Sequence, residues 1–200
     1  MANTTSKINI INLALANIGQ DTITSADQDS ATARTSNLMY DVVRRNLLRA
    51  HDWTFALRWA DLTASTVESP YDHLPYVYAQ PSDCLFIKRI TYSGAAPYVK
   101  LPTYQLFTSS NANKLIATPL DGARAFYVRD EQNETLFDDL FVACFADLLA
   151  AELAVPLAGD SQLAAQMYQK YAEQLRQARI TNKVEQPERP LPTSEFLEAR

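Results

Sequence analysis

The hydrophobic pattern changes its period within Leu38–Leu62, and the rest of the chain can be arranged around this change. Before Ala50 the apolar residues recur about every four positions, so one stripe of a helix is buried. After His51 the spacing becomes two, which is the pattern of an extended segment that presses its large side chains onto one surface. Those large residues are Trp53, Phe55, Leu57 and Trp59. The sequence therefore predicts a helix that is followed by an aromatic strand.

Helical periodicity recurs in three other stretches, so four helices are expected. Their predicted bounds are 8–18, 31–50, 135–156 and 160–184. Ser, Thr or Asp residues precede the first two helices as candidate N-caps, and Gly19 ends the first helix because glycine adopts a left-handed backbone easily. The third helix is apolar over most of its circumference, as is typical of a central helix. Asp147 interrupts that apolar surface, and we expect an arginine of the second helix to be its partner.

The middle of the chain has short runs with strand-like composition, separated by turn residues. The runs are 76–79, 85–92, 98–101, 114–118 and 124–129. The tetrapeptide Pro-Leu-Asp-Gly at 119–122 contains residues that favour reverse turns, so it predicts a hairpin between the last two runs. We therefore expect a small antiparallel lobe in this part of the chain.

These elements predict an α+β, mainly α fold. Residues 1–70 and 131–184 are expected to form a four-helix bundle, and 71–130 an inserted β-rich lobe. Beyond the fourth helix, three prolines at 187, 190 and 192 exclude a continuous helix, so 185–200 is expected to be an extended C-terminal arm.

Composition limits the classes of function. The net charge of -5 and the pI near 5.0 argue against nonspecific binding of duplex DNA, which needs clustered Lys and Arg. The two cysteines, Cys84 and Cys144, lie far apart in the sequence and are expected to be small buried residues rather than a metal site. The sequence shows neither a signal-peptide pattern nor an apolar run of membrane length, so a soluble protein in a reducing compartment is expected.

Catalytic motifs are weak or absent in the sequence. His51 and His73 each have an adjacent aspartate, but neither is accompanied by the serine or cysteine that a triad requires. The composition of Ser82–Cys84 favours a turn over a nucleophile, and the four glycines form no phosphate-binding loop. The aromatic residues after His51 could stack nucleobases, but core packing is favoured because no basic groove accompanies them. No catalytic residue, cofactor or metal is predicted.

Four segments of the chain carry a resemblance to a known family. They read INLALANIGQDTITSADQDSATA, YDVVRRNLLRAHDWTFALRWADL, YVYAQPSDCLFIKRI and FDDLFVACFADLLAAELAVPL. In this order they closely resemble the tail tubular protein A family of short-tailed bacteriophages and their prophages, also called the head-to-tail adaptor or connector. The similarity extends from Lys7 to about Ala178. Gln80 stands where the family has leucine, a difference that concerns packing.

The resemblance implies a structural protein of the virion, located at the junction of head and tail and made in the host cytoplasm. Its partners would be further copies of itself in a dodecameric ring, the portal protein above and the tail nozzle protein below. DNA would pass through the centre of the ring without sequence-specific binding, and no membrane partner is implied. The family motifs imply no enzymatic site.

A closed ring needs two different faces on each subunit, which meet between neighbours. One candidate face is the exposed side of the second helix with Arg34, Arg45 and Arg49, which would meet acidic residues of the next subunit. The C-terminal arm with Phe196, Leu197 and Arg200 is a second candidate, which would dock on the portal or on a neighbouring subunit. Two alternatives stay open: a virion-associated hydrolase that uses acidic residues, and a monomeric regulatory or chaperone-like module.

Overall fold

The computed structural model describes residues 5–92 and 103–185, with side chains described as far as Thr181. Its contacts divide the chain into two units. One unit consists of Met1–Leu57 and Val128–Thr181, and the other is built on Arg58–Tyr127. The predicted arm at 185–200 begins where α4 ends, so nearly all of it lies outside the described residues. So does the predicted strand at 98–101.

The described residues of the first unit contain the α-helices. Their bounds are α1 Lys7–Asn17, α2 Ala31–Ala50, α3 Asp139–Leu153 and α4 Ser161–Glu185, with one π-helical turn at Ala154–Ala158. The predicted positions of α1, α2 and α4 are confirmed to within one or two residues. α3 begins four residues later than predicted, because Glu134–Leu136 forms a separate 3₁₀ turn.

Short polar side chains cap these helices. The Ser6 hydroxyl accepts a hydrogen bond from the backbone N–H of Asn9 at 3.3 Å, and the Ser30 hydroxyl accepts one from Ala33 at 3.2 Å. Each satisfies a donor that has no partner within the helix. Gly19 follows α1 with a φ of 68°, as expected for a left-handed residue after a helix end. These local rules explain why the helix bounds are readable from the sequence.

Six strands form two three-stranded antiparallel sheets within the described ranges. The strands are β1 Leu57–Asp61, β2 Tyr76–Ala79, β3 Cys84–Tyr92, β4 Gln105–Thr108, β5 Lys114–Thr118 and β6 Ala123–Arg129. One sheet has the order β1-β6-β3 and the other β2-β5-β4. In the second sheet Val77 is opposite Ala117, and Leu106 is opposite Ile116. Buried residues from both sheets form one core, which includes Tyr78, Ile87, Ile116 and Ala125.

The predicted four-helix bundle with a small inserted lobe is wrong. The structure is α+β with about 47% helix and 21% strand, and the strands form two full sheets around their own core. α3 packs against α1 and α2. Over its described side chains α4 buries Tyr171, Leu175 and Ala178, which lie on one face of the helix. Periodicity located the helices, but it did not show how much of each helix would be covered.

Two predictions about the strands are also wrong. The aromatic segment is not one strand, because a 3₁₀ turn at Thr54–Ala56 interrupts it, and β1 begins only at Leu57. As a result Trp53 is 1% exposed whereas Trp59 is 44% exposed, so the two side chains share no surface. The turn at 119–122 joins β5 to β6, which belong to different sheets, so it closes no hairpin. Turn residues specify a change of direction, but they do not specify which strands pair.

The stretch Asp139–Ala158 is long and apolar enough for a membrane span, with a mean hydropathy of 2.0 over its best window. The sequence-based expectation that no apolar run reaches this length is therefore wrong. Of the best window in this apolar stretch, 56% is buried within the protein. Its high hydropathy is therefore that of a helix in a protein core.

The hairpin of β4 and β5 stores backbone strain at Ala112, whose φ is 60°. This left-handed conformation costs an L-residue about 1–2 kcal/mol, and glycine avoids that cost at the expense of greater freedom when unfolded. We therefore predict that Ala112→Gly raises the free energy of unfolding by about 0.5–1 kcal/mol. The reverse change Gly122→Ala, at a φ of 66°, should lower it by a similar amount. Urea denaturation checks both, and a destabilised Ala112→Gly would contradict the assignment.

Candidate interaction surfaces

A row of exposed residues follows the side of α2 that faces away from the core. We call it the outer stripe; it consists of Arg34, Leu38, Val42, Arg45 and Arg49. Their spacing of four, four, three and four residues keeps them on one line, about 22 Å long at 1.5 Å per residue. Leu38 is 71% exposed and Val42 is 56% exposed. The outer stripe therefore has an apolar centre with arginines at both ends.

The opposite side of α2 is buried in the core. Its buried apolar residues are Ala33, Tyr40, Val43, Leu47 and Leu48. The Tyr40 ring lies 4.8 Å from the ring of Phe145 in α3, measured between centroids. Because the inner side holds the helix in place, Leu38 and Val42 are not needed for folding and are presented on a rigid element.

The three predicted arginines of the outer stripe have different environments. Arg34 forms an ion pair with Asp29, in which both side chains are largely exposed. Arg45 donates from Nε to Oδ2 of Asp130 at 3.0 Å, and its side chain is 54% exposed. Arg49 is exposed, and among the described side chains of 5–92 and 103–181 it forms no ion pair. The structure thus brings all three arginines onto one line.

Arg44 is a residue that sequence reasoning overlooked, and it anchors this part of α2. Its side chain is 2% exposed, and its Nη1 donates to Oδ1 of Asp130 and to the backbone carbonyl of Glu131, both at 2.5 Å. Its Nη2 lies 3.2 Å from Oδ1 of Asp41. Asp130 therefore binds the buried Arg44 and the exposed Arg45 together. Helical spacing could have indicated its burial, since Arg44 lies on the inner face between Tyr40 and Leu48.

Acidic residues beside Arg44 also form hydrogen bonds and ion pairs. The Glu131 side chain, 3% exposed, accepts backbone hydrogen bonds from Gln132 and Asn133 and pairs with Arg129. The Tyr40 hydroxyl donates to Glu134 at 3.3 Å. Across the described part of the chain, no group of three His, Cys, Asp or Glu residues is arranged to hold a metal ion. The hydrolase alternative stays a hypothesis.

Asp147 is buried as predicted, but its predicted partner is wrong. Its carboxylate accepts from Lys170 Nζ of α4 at 2.8 Å and from Asn17 Nδ2 of α1 at 2.9 Å. The arginine of α2 that does enter the interior, Arg44, binds Asp130 instead. The Lys170–Asp147 pair and the Arg44–Asp130 pair each compensate a buried charge. The sequence did not show which cation would bind which carboxylate.

A second exposed surface lies on the β1-β6-β3 sheet and combines aromatic rings with arginines. The Trp59 and Phe126 rings stack at 4.7 Å between centroids, and Arg89 Cζ lies 4.8 Å from the Trp59 centroid. Arg124 Cζ lies 5.9 Å from the same ring and pairs with Asp61. The expectation that Trp59 packs in the core is wrong, whereas the same expectation is confirmed for Trp53.

An open pocket of about 590 Å³ lies at one edge of the second unit. Small and polar residues line it, including Ser82, Gln80 and Lys114 around Cys84. Burial raises the pKa of the Cys84 thiol to about 11, so the thiol is protonated at neutral pH and is a poor nucleophile. Asp83 accepts a hydrogen bond from the Tyr127 hydroxyl at 3.1 Å, a contact that stabilises the turn.

No family model matches this chain, and no curated protein matches it significantly. The candidate arm residues Phe196, Leu197 and Arg200 lie outside the described residues. The other predicted interface residues, Arg34, Arg45 and Arg49, all belong to the outer stripe of α2.

We predict that Arg44→Met lowers the free energy of unfolding by about 3–5 kcal/mol, because it leaves Asp130 and the Glu131 carbonyl without their buried cation. The control is Arg45→Met, which removes the exposed partner of the same Asp130 and should cost less than about 1 kcal/mol. Chemical denaturation of the two variants checks the difference. Equal losses would contradict the assignment of Arg44 as the anchor.

We predict that both native thiols resist labelling. Burial raises the pKa of Cys144 to about 12 and that of Cys84 to about 11, so both thiols are almost entirely protonated at pH 8. A chromogenic disulfide reagent should detect almost no thiol in the folded protein and two after unfolding in urea. Rapid labelling of one thiol in the folded protein would contradict the burial of that cysteine.

Proposed function

We propose that this chain is a structural subunit of the head-to-tail adaptor of a short-tailed bacteriophage. In this role copies of the chain form a ring, dodecameric by the family resemblance, that joins the portal protein to the tail nozzle protein. The ring surrounds the DNA during ejection and performs no catalysis. The observation that carries the proposal is the outer stripe of α2, an exposed apolar centre between arginines on a rigid helix.

The composition of the outer stripe supports a protein-protein contact. Single exposed apolar residues are normal on a protein surface. Leu38 and Val42, however, are neighbours one helical turn apart and lie between Arg34 on one side and Arg45 and Arg49 on the other. Apolar centres with a polar rim, and arginine in particular, are typical of protein interfaces. The four sequence segments that resemble the adaptor family point to the same class of protein.

The remaining partners follow from the same proposal. The C-terminal residues Phe196, Leu197 and Arg200 contact the portal or an adjacent subunit. Net negative charge, -5 for the whole chain, disfavours adhesion of DNA to the wall of the channel. Subunits stay monomeric until a portal arranges them, because each subunit contact is weak by itself and is strengthened when neighbours are held close.

The proposal is tested by mixing the purified protein with the portal oligomer of the same phage. Mass photometry should detect a complex larger than the portal by a fixed number of subunits, and electron microscopy should show a ring seated on it. Protein that remains monomeric at micromolar concentration with the portal present would overturn the adaptor proposal. The hydrolase and free-module alternatives would then be favoured.

We predict that Leu38→Ala combined with Arg49→Glu raises the concentration for half-maximal ring assembly about tenfold, which corresponds to about 1.4 kcal/mol. Neither side chain is needed for folding, since Leu38 is 71% exposed and Arg49 is exposed without an ion pair among the side chains described as far as Thr181. The matched control is Ile180→Ala combined with Arg176→Glu on α4, which removes the same kinds of exposed group. Equal effects of the two double variants would exclude the outer stripe as an interface.

A further inference from the structure

The outer stripe needs a complementary surface on the next copy, and the chain carries one at the start of α3. We propose that the outer stripe of one subunit docks on a surface of its neighbour formed by Leu136, Asp138, Asp139 and Leu140. We call this surface the acidic counter-surface. The inference rests on the proposed function, because it names the partner of the outer stripe within the ring.

The acidic counter-surface matches the outer stripe in both charge and apolarity. Leu136 is 43% exposed and Leu140 is 40% exposed, whereas Phe137 and Phe141, which follow them, are buried. Asp138 and Asp139 lie between them and are exposed. Two leucines around two carboxylates therefore complement Leu38 and Val42 with their flanking arginines.

The two surfaces point in different directions, as a head-to-tail contact requires. The inner side of α2 faces α3 through contacts such as Tyr40 to Phe145, so the outer stripe faces away from α3. On α3, Asp139 precedes Phe141 by two residues and therefore projects about 160° away from it around the helix. Phe141 contacts the aromatic residues that follow α2. A subunit can thus use both surfaces at once, and the contact propagates into a ring or a filament instead of closing a symmetric dimer.

The electrostatics at the start of α3 favour arginines despite the helix dipole. The positive end of that dipole is equivalent to about +0.5 charge, which would repel a cation. Asp138 and Asp139 are both exposed there, and their carboxylates place negative charge at this end of the helix. Asp138 uses one oxygen to cap the helix, accepting from the Phe141 N–H at 2.6 Å, and this hydrogen bond holds the carboxylate in place.

Other described surfaces fit the outer stripe less well. Glu152 and Val155, near the end of α3, combine one acid with one exposed apolar residue. The loop 21–29 contains three aspartates, but its apolar residue Ile23 is 3% exposed. The Trp59 surface is itself cationic through Arg89 and Arg124. Among the surfaces compared, the acidic counter-surface combines two exposed leucines with two adjacent exposed carboxylates.

Cross-linking tests the contact directly, and the native cysteines do not interfere because both are buried. A Val42→Cys chain and a Leu140→Cys chain, mixed on the portal oligomer, should give a covalent dimer with a short bismaleimide linker. Each chain alone should give none. A chain with both substitutions should give a ladder that ends at the subunit number of the closed ring. The control replaces Leu140→Cys by Glu152→Cys, about 18 Å away along α3, and should cross-link far less.

Charge exchange tests the energetic part of the inference. Arg49→Glu and Asp139→Lys should each raise the half-maximal assembly concentration several-fold, whereas the chain with both changes should return to within about threefold of the original. Glu152→Lys, a charge reversal at the other end of α3, should neither weaken assembly nor rescue Arg49→Glu. Thermal melts of the free subunits verify that each variant is folded.

The outcomes separate this inference from the proposed function. Rings on the portal without a cross-link between positions 42 and 140, or with additive effects of the two charge reversals, would overturn the inferred contact and leave the adaptor proposal intact. A Val42→Cys dimer formed without the second variant would show a symmetric contact and overturn the inference as well. If the cross-linked ladder forms in concentrated protein but never on a portal, the contact stands and the adaptor proposal fails.

Discussion

Phe141 is the centre of an aromatic cluster on which the position of α2 depends. Its ring lies 5.0 Å from Trp53, 5.0 Å from Phe55 and 4.6 Å from Phe137, measured between centroids. Trp53 is almost fully buried, and its indole N–H donates to the backbone carbonyl of Leu47 in the last turn of α2 at 2.9 Å. The cluster therefore fixes both the end of α2 and the chain that follows it, through apolar burial together with a satisfied polar group. The aromatic cluster therefore also holds the exposed outer stripe in a fixed position.

The two sides of α2 have different roles: one side packs in the interior, and the other is exposed to solvent. Arg44 and Arg45 are adjacent in sequence and bind the same carboxylate, but 100° of helix rotation puts the first in the interior and the second at the surface. The interior arginine is costly to remove because Oδ1 of Asp130 and the Glu131 carbonyl would lose their buried donor. The surface arginine is free to exchange Asp130 for a carboxylate of another molecule at little cost. Neighbouring residues of one type thus serve folding and recognition separately.

Much of the local structure was predictable from the sequence, and the candidate site only in part. The line through Arg34, Arg45 and Arg49 followed from helical spacing, but the apolar centre at Leu38 and Val42 was not recognised. From sequence alone, an apolar residue on a helix is predicted to lie in the core, because the sequence does not show how wide the buried stripe is. Arg44 shows the reverse error, since a charged residue on the inner face is acceptable only when distant residues such as Asp130 satisfy it.

The sequence by itself determined the bounds of α1, α2 and α4, because caps and helical periodicity act within a few residues of each other. It also determined that α3 is the central helix, because that segment is apolar almost all the way round. Only the tertiary structure decided which strands pair, that Lys170 rather than an arginine reaches Asp147, and that Trp59 lies at the surface while Trp53 is buried. These outcomes depend on contacts between residues that are tens of positions apart, and no local pattern encodes which distant partner arrives.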